Sequence, residues 1–414
     1  MILLTTGRCS KMSRELKVFF ALQFEGHYMT KIEKENALVE AMKEVTAEIA
    51  REFPKYKLRW QKCQLESGRQ VGEQIIELVK ASDIFIADIS EYNLNVLFEL
   101  GVARGLQCLS HKKIIWLSHE KVDLSQMPSD LRGLYIERYN EENLKTLLAD
   151  RILNLSRNSI RECAAIDSMH LIQDFWVLPQ NGNVDIVCSE IPKEERHYFA
   201  APNDRNYLRY AKFADLDSLI YVRTRIAQLF PRVTIRDFSP SEHYDTNTQG
   251  LIVIGGPPWN SKFKEFQSQL PFHFSPKPLG EDDPLVIDLE PMDDYIFIPT
   301  WTQNKVLIKD ISVFARVRVG KDLSVFLLGG CLTFGVLGAA KCFLDEDIAF
   351  SNVEYILQYV RDSDFVLICE TPRMGHFVRT PEFITNKPLV VLVRGMDGKF
   401  NVIMNNAQDY KQRE

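Results

Sequence analysis

Two acids bracket a short polar loop: Asp88 closes the apolar run Ile84 to Ile86, and Glu99 stands one turn into a segment with helical spacing. Between them lie Ser90, Asn93 and Asn95. This layout aims an acid from a strand end and an acid from a helix start into one crevice, at the carboxyl edge of a parallel sheet, where open α/β folds bind their ligands. A carboxylate there can attack as a nucleophile or stabilise a developing cation. Glu99 and Asp88 are therefore the candidate catalytic residues. Taken alone, Glu99 reads more readily as a solvated glutamate favouring the helix dipole, and Asp88 as a loop or capping aspartate. Ser90, Asn93 and Asn95 are candidate substrate contacts, with helix capping the competing role for the asparagines.

The stretch Ala81 to Gly105 weighs in favour of chemistry. It resembles the pattern shared by nucleoside 2-deoxyribosyltransferase-like proteins and bacterial TIR-like domains, with Ser82, Asp83, Asp88, Ser90, Asn93, Asn95, Val96, Glu99, Leu100, Gly101 and Ala103 in matching places. The resemblance covers roughly the first 155 residues. It implies that the glutamate before Leu-Gly, here Glu99, stabilises positive charge at an anomeric carbon as an N-glycosidic bond breaks. In the deoxyribosyltransferase-like relatives that glutamate is the nucleophile, and in TIR-type NAD hydrolases a glutamate on an equivalent helix acts on the ribose. The implied activity is an N-glycosidase acting on NAD or a nucleotide, in a setting such as bacterial antiphage defence. Asp88 would then hold ribose hydroxyls or the leaving base.

The elements that must position these residues alternate. Strands are expected at Leu16 to Leu22, Tyr56 to Trp60, Asp83 to Ala87 and Lys113 to Leu117; helices are expected at Lys31 to Phe53, Gly72 to Lys80 and Val96 to Leu106. That rhythm implies a flavodoxin-like or Rossmann-like parallel sheet with helices on both faces. The segment Pro128 to Tyr139 resembles the superfamily's closing turn and edge strand, and Glu141 to Ser156 reads as the last helix. The loop after the first strand faces the same crevice, so Gln23 is a candidate ribose or phosphate contact, and Phe24 and Tyr28 are candidate stacking partners for a base. Gly-x-Gly-x-x-Gly is absent after that strand, which disfavours ordinary dinucleotide redox chemistry.

The second half is also α/β and resembles no named family. Leu251 to Asn260 and Val325 to Ala340 both read as strand, glycine turn and helix. Gly255, Gly256, Asn260, Gly329, Gly330 and Thr333 are thus candidate contacts for a small anionic regulatory ligand, plausibly a nucleotide. Tight helix-to-sheet packing needs glycine equally. Val306 to Val319 is expected to be a hairpin, and Pro271 to Pro284 a surface loop.

The sequence bounds the rest. Its 414 residues favour two domains: an extension over 1–15, a deoxyribosyltransferase-like or TIR-like domain over 16–158, and a ligand-sensing α/β domain over 166–414. Fifty Lys and Arg against 56 Asp and Glu give a net charge of −6 and argue against a large nucleic-acid footprint. Eight cysteines without Cys-x-x-Cys spacing suggest no metal site and a reducing cytoplasm. Leu323 to Ala340, interrupted by four glycines, reads as strand and helix rather than a membrane span. No cofactor is expected; NAD or a nucleotide enters as substrate, a nucleotide-like trigger is the other small-molecule partner, and self-association is left open. The competing function is a nucleotide-binding sensor or scaffold without turnover.

Overall fold

A computed structural model describes residues 14–21, 26–61, 71–107, 112–123, 125, 135–242, 248–277, 283–320 and 323–411. The chain divides into two compact units, residues 1–166 and 167–414.

In the first unit the elements run β1 (Arg14–Ala21), α1 (Lys31–Glu52), β2 (Tyr56–Gln61), α2 (Val71–Ala81), β3 (Ile84–Asp88), α3 (Leu94–Gln107), β4 (Lys113–His119), β5 (Glu137–Tyr139) and α4 (Leu144–Trp176). Among the described residues five strands form one sheet in the order β2-β1-β3-β4-β5, every neighbouring pair parallel. This is the flavodoxin-like doubly wound order, whose direction reverses between β1 and β3. Every residue of β3 is buried, as a central strand covered on both faces requires. Side-chain alternation divides the core: Ile84 and Ile86 join α1 and α4 on one face, while Phe85 and Ala87 join α2 and α3 on the other. A Thr30/Glu33 capping box starts α1, and Leu38, Ala41, Met42, Val45 and Ile49 bury its stripe.

The expected end of α4 at Ser156 is overturned, because the helix continues to Trp176. No glycine or proline interrupts residues 144–176, so nothing local stops it. Its beginning supplies Leu144, Leu148 and Ile152 to the first core, and its end supplies Ile172, Phe175 and Trp176 to a core of the second unit.

In the second unit come β6 (Gly182–Cys188), α5 (Leu216–Leu229), β7 (Val233–Phe238), β8 (Gly250–Ile254), α6 (Ser261–Gln267), β9 (Phe272–Phe274), β10 (Leu285–Ile287), β11 (Ile296–Phe297), β12 (Thr300–Trp301), β13 (Leu307–Val319), β14 (Leu323–Gly330), α7 (Thr333–Cys342), α8 (Ala349–Val360), β15 (Phe365–Met374), β16 (Phe377–Val378), β17 (Val390–Arg394) and β18 (Phe400–Asn405). The main sheet is mixed, in the order β18-β17-β15-β13-β14-β8-β6-β7, and the run β14-β8-β6-β7 is parallel. Helices α5, α7 and α8 cover one face; α6 and the small sheet β9–β11 cover the other.

Two further expectations fail here. The hairpin over 306–319 is a single strand pairing with β14 and β15, since Leu307–Val319 contains no glycine, proline or asparagine to turn the chain. The Pro271 to Pro284 stretch is not all surface loop, because β9 buries Phe272 and Phe274 within it.

Candidate functional site

The carboxyl ends of β1, β3 and β4 meet where the first sheet's order reverses. Asp88 stands there, 3% exposed, on the α1/α4 side. Lys34 donates to its Oδ2 from 2.6 Å and the Tyr139 hydroxyl donates to the same oxygen from 2.8 Å. Oδ1 accepts from the Ser90 backbone N–H at 3.1 Å and from the Ser90 hydroxyl at 2.5 Å. The carboxylate is thus surrounded by donors and balanced by a buried ammonium. Burial, then the neighbouring Asp88 charge, hold the Tyr139 phenol well above its ordinary range. Ser90 Oγ also accepts from the His119 backbone N–H at 2.8 Å. The polar atoms of Asp88 and Ser90 thus face one another inside the protein, tying the ends of β3, β4 and β5 to α1.

His119 and Tyr28 extend the cluster. His119 is fully buried, its ring stacked on Tyr28 at 5.1 Å and edge-on to Tyr139 at 5.3 Å. Nδ1 accepts the Lys121 backbone N–H at 3.3 Å, and Nε2 lies 3.5 Å from Glu141 Oε1. Tyr28, proposed from sequence as a stacking residue, therefore has one face occupied by His119. The segment carrying it is tied to the β3–α3 loop, where Glu91 Oε1 accepts the His27 backbone N–H at 2.6 Å.

Glu99 is held differently. Asn93 caps α3, its Oδ1 accepting from the backbone N–H groups of Asn95 at 2.9 Å and Val96 at 3.4 Å. That use of the Asn93 side chain favours its capping role over substrate contact. Val96, Leu100 and Ala103 anchor the helix on the α2/α3 side of the sheet, and Glu99 lies at the edge of this buried stripe, 9% exposed. Among the described residues no donor or cation reaches its carboxyl, and burial alone pushes it up to about 7. Asn95 sits one turn earlier on the same helical face, exposed to solvent. Asp88 points to the α1/α4 side of the sheet, while Glu99 rides on the helix that covers the other. Gln23 and Phe24 lie outside the described residues.

Sequence reading missed Lys34, His119 and Tyr139. Lys34 had a signal, for it extends the stripe of Leu38, Met42, Val45 and Ile49 by one turn toward the strand ends. A lysine in line with a buried stripe calls for a buried acid.

The glycine turns of the second unit do come together. Gly256, Gly330 and Thr333 line one cleft with Asp215, Trp259, Phe274, Cys331 and Val336. The buried Asp310 carboxylate accepts the Leu332 and Gly335 backbone N–H groups at 3.2 and 2.5 Å, so a protein carboxylate already occupies the α7 N-terminus. Asn260 is fully buried and spends its side chain on the Lys262 and Phe263 N–H groups and the Val187 and Ile254 carbonyls. Gly329 and Gly330 serve packing: an added Cβ would lie 2.7 Å from the Phe263 ring and 2.5 Å from the Val336 backbone nitrogen, respectively. Gly255 adopts φ +113 and leaves no room beside Ser189 and Asp215.

Among the described residues no group of three or more His, Cys, Asp or Glu could hold a metal ion, and no helix is long and apolar enough to cross a membrane. No family model matches the chain, and no curated protein matches it. Among solved structures, that of the Clostridium botulinum CMP N-glycosidase BcmB matches at 20% identity, covering 32% of this chain and 97% of that chain, with a TM-score of 0.22. A likeness at that score carries no argument, and the fold above rests on strand order and register.

Proposed function

We propose that the first unit is an N-glycosidase-type enzyme that breaks the base–ribose bond of NAD or another nucleotide or nucleoside, with Glu99 as the catalytic carboxylate. The observation that carries this reading is a desolvated carboxyl on the helix that follows β3, reached by no donor or cation among the described residues and raised to about 7. A carboxylate stripped of water and of partners interacts strongly with a cation in low dielectric. As the glycosidic bond stretches, positive charge grows on the anomeric carbon, and a carboxylate beside it gains most in the transition state. Asp88 does not take part in bond breaking in this reading. Its cluster ties α1 to the ends of β3, β4 and β5, with Tyr28 stacked on His119 beside it.

The saturation of Asp88 also favours a second reading, in which the crevice binds a nucleotide without turnover, because it leaves a single candidate for chemistry. Incubating the protein with NAD and a panel of nucleosides and nucleotides, and measuring released base, separates the two. Turnover that falls at least about 100-fold in Glu99→Gln supports catalysis; an unchanged rate in that variant removes Glu99 from the chemistry. Since the ionised form is the active one, kcat/KM should rise with pH through a midpoint near 7, the value to which burial brings Glu99. A profile that falls through that midpoint would make Glu99 a general acid instead.

A further inference from the structure

The parallel run of the second unit has its own point of reversal. From β6 the chain passes through α5 to β7 on one side, and then to β8 on the other. Crevices of this kind, outside the carboxyl ends of parallel strands, are ligand sites in open α/β sheets. Here the crevice is a cleft of about 340 Å³, within the range of small-molecule sites. It is lined by Trp259, Phe274, Pro257, Pro258 and Val336, together with Asp215 and Asp283.

Asp215 is the polar feature of this cleft. It stands at the N-cap of α5 but makes no capping bond. It is 7% exposed, its Oδ2 accepts the Ser189 hydroxyl, and among the described residues no group bonds to its Oδ1. Burial raises this carboxyl above its ordinary range, the Ser189 hydrogen bond offsetting only part of the effect. Gly255 makes the arrangement fit, for a Cβ there would come within 2.6 Å of the Ser189 Cβ and 2.8 Å of Asp215 Oδ2. No lysine, arginine or histidine is among the described residues lining the cleft.

From this geometry we infer that the second unit binds a small, phosphate-free molecule with a flat ring and an amino group, the ring against Trp259 and Phe274 and the amino group donating to Asp215 Oδ1. A carboxyl oxygen that no group among the described residues reaches, on a side chain largely withdrawn from water, selects a donor. The aromatic and proline walls select a ring. Two acids, with no cation among the described lining residues, reject a phosphate, which is where this ligand departs from the anion expected of the glycine turns. This inference does not depend on the chemistry at Glu99.

Calorimetric titration of the full chain with adenosine, tryptamine and AMP tests it, using Asp215→Asn and the surface variant Trp259→Ala beside the parent. Asn keeps the acceptor for Ser189 and the side-chain volume. The expected result is binding of adenosine or tryptamine that weakens at least tenfold in Asp215→Asn and in Trp259→Ala, with AMP at least tenfold weaker than adenosine at that site. Binding of tryptamine over adenosine would assign a cationic amine; the reverse, a neutral base. AMP binding as tightly as adenosine at an Asp215-dependent site overturns the inference, as does the absence of any binding that responds to both variants.

Discussion

At the carboxyl edge of the first sheet Asp88 is met by Lys34, Tyr139 and Ser90, whereas at the edge of the second Asp215 meets the Ser189 hydroxyl and no cation among the described residues. Both acids are buried, and both stand where a parallel strand order reverses. What differs is compensation. A buried carboxylate ringed by donors has its charge balanced, fixes the loops around it and offers nothing to a ligand. One that lacks a cation keeps an unspent acceptor and carries a desolvation cost that a ligand can relieve. Glu99 belongs with Asp215 in this respect, although it shares the first sheet with Asp88.

The contrast is tested most severely at Lys34. Lys34→Met should leave Asp88 buried without its counter-charge and destabilise the protein by about 3–5 kcal/mol. Adding Asp88→Asn should restore much of that loss in chemical denaturation. If the single variant is as stable as the parent, the Asp88 cluster is not held by charge balance.

Glu99→Gln should act in the opposite direction. In the folded protein Glu99 titrates near 7 rather than 4.5, so folding takes up protons between these values and stability falls as pH rises through that window. Replacing the carboxyl by an amide removes about 3 kcal/mol of cost at pH 8 and nothing at pH 4. Melting temperatures at the two pH values check this, and a variant no more stable at pH 8 than the parent would mean that Glu99 is compensated.

A smaller effect separates packing from binding at the glycine turns. Gly330→Ala should cost about 1–3 kcal/mol, since its Cβ would meet the Val336 backbone nitrogen at 2.5 Å. Gly256→Ala, whose nearest neighbour is the Pro258 Cδ at 3.7 Å, should leave stability within about 0.5 kcal/mol. Equal melting shifts for the two would contradict the packing assignment.

The first sheet was legible because periodicity reports what each strand and helix buries: the runs at β1, β3 and β4 and the stripe of α1 each required a partner. Site detail was less so. Sequence placed Glu99 on a helix behind a polar loop, but that Asp88 points to one face while α3 covers the other follows from strand alternation. Lys34, His119 and Tyr139 are far from Asp88 in the chain and are brought to it by register alone. In the second unit the strand–glycine–helix pattern was read correctly as local structure. That Asp310, on strand β13 beside β14, fills the α7 N-terminus is a tertiary fact without local trace. The strand β7 was passed over, although Val233, Ile235 and Asp237 alternate with Thr234, Arg236 and Phe238.

The length of α4 has a kinetic consequence. Its two ends are anchored in apolar cores, yet none of residues 161–170 is buried. Amides along that stretch are shielded from exchange by helical hydrogen bonds with no core packed over them, so opening there requires no hydrophobic surface to be exposed. Hydrogen–deuterium exchange should therefore enter the chain through the centre of this helix before it reaches Ile152 or Trp176. The same solvent-facing turns are where a protease would cut first.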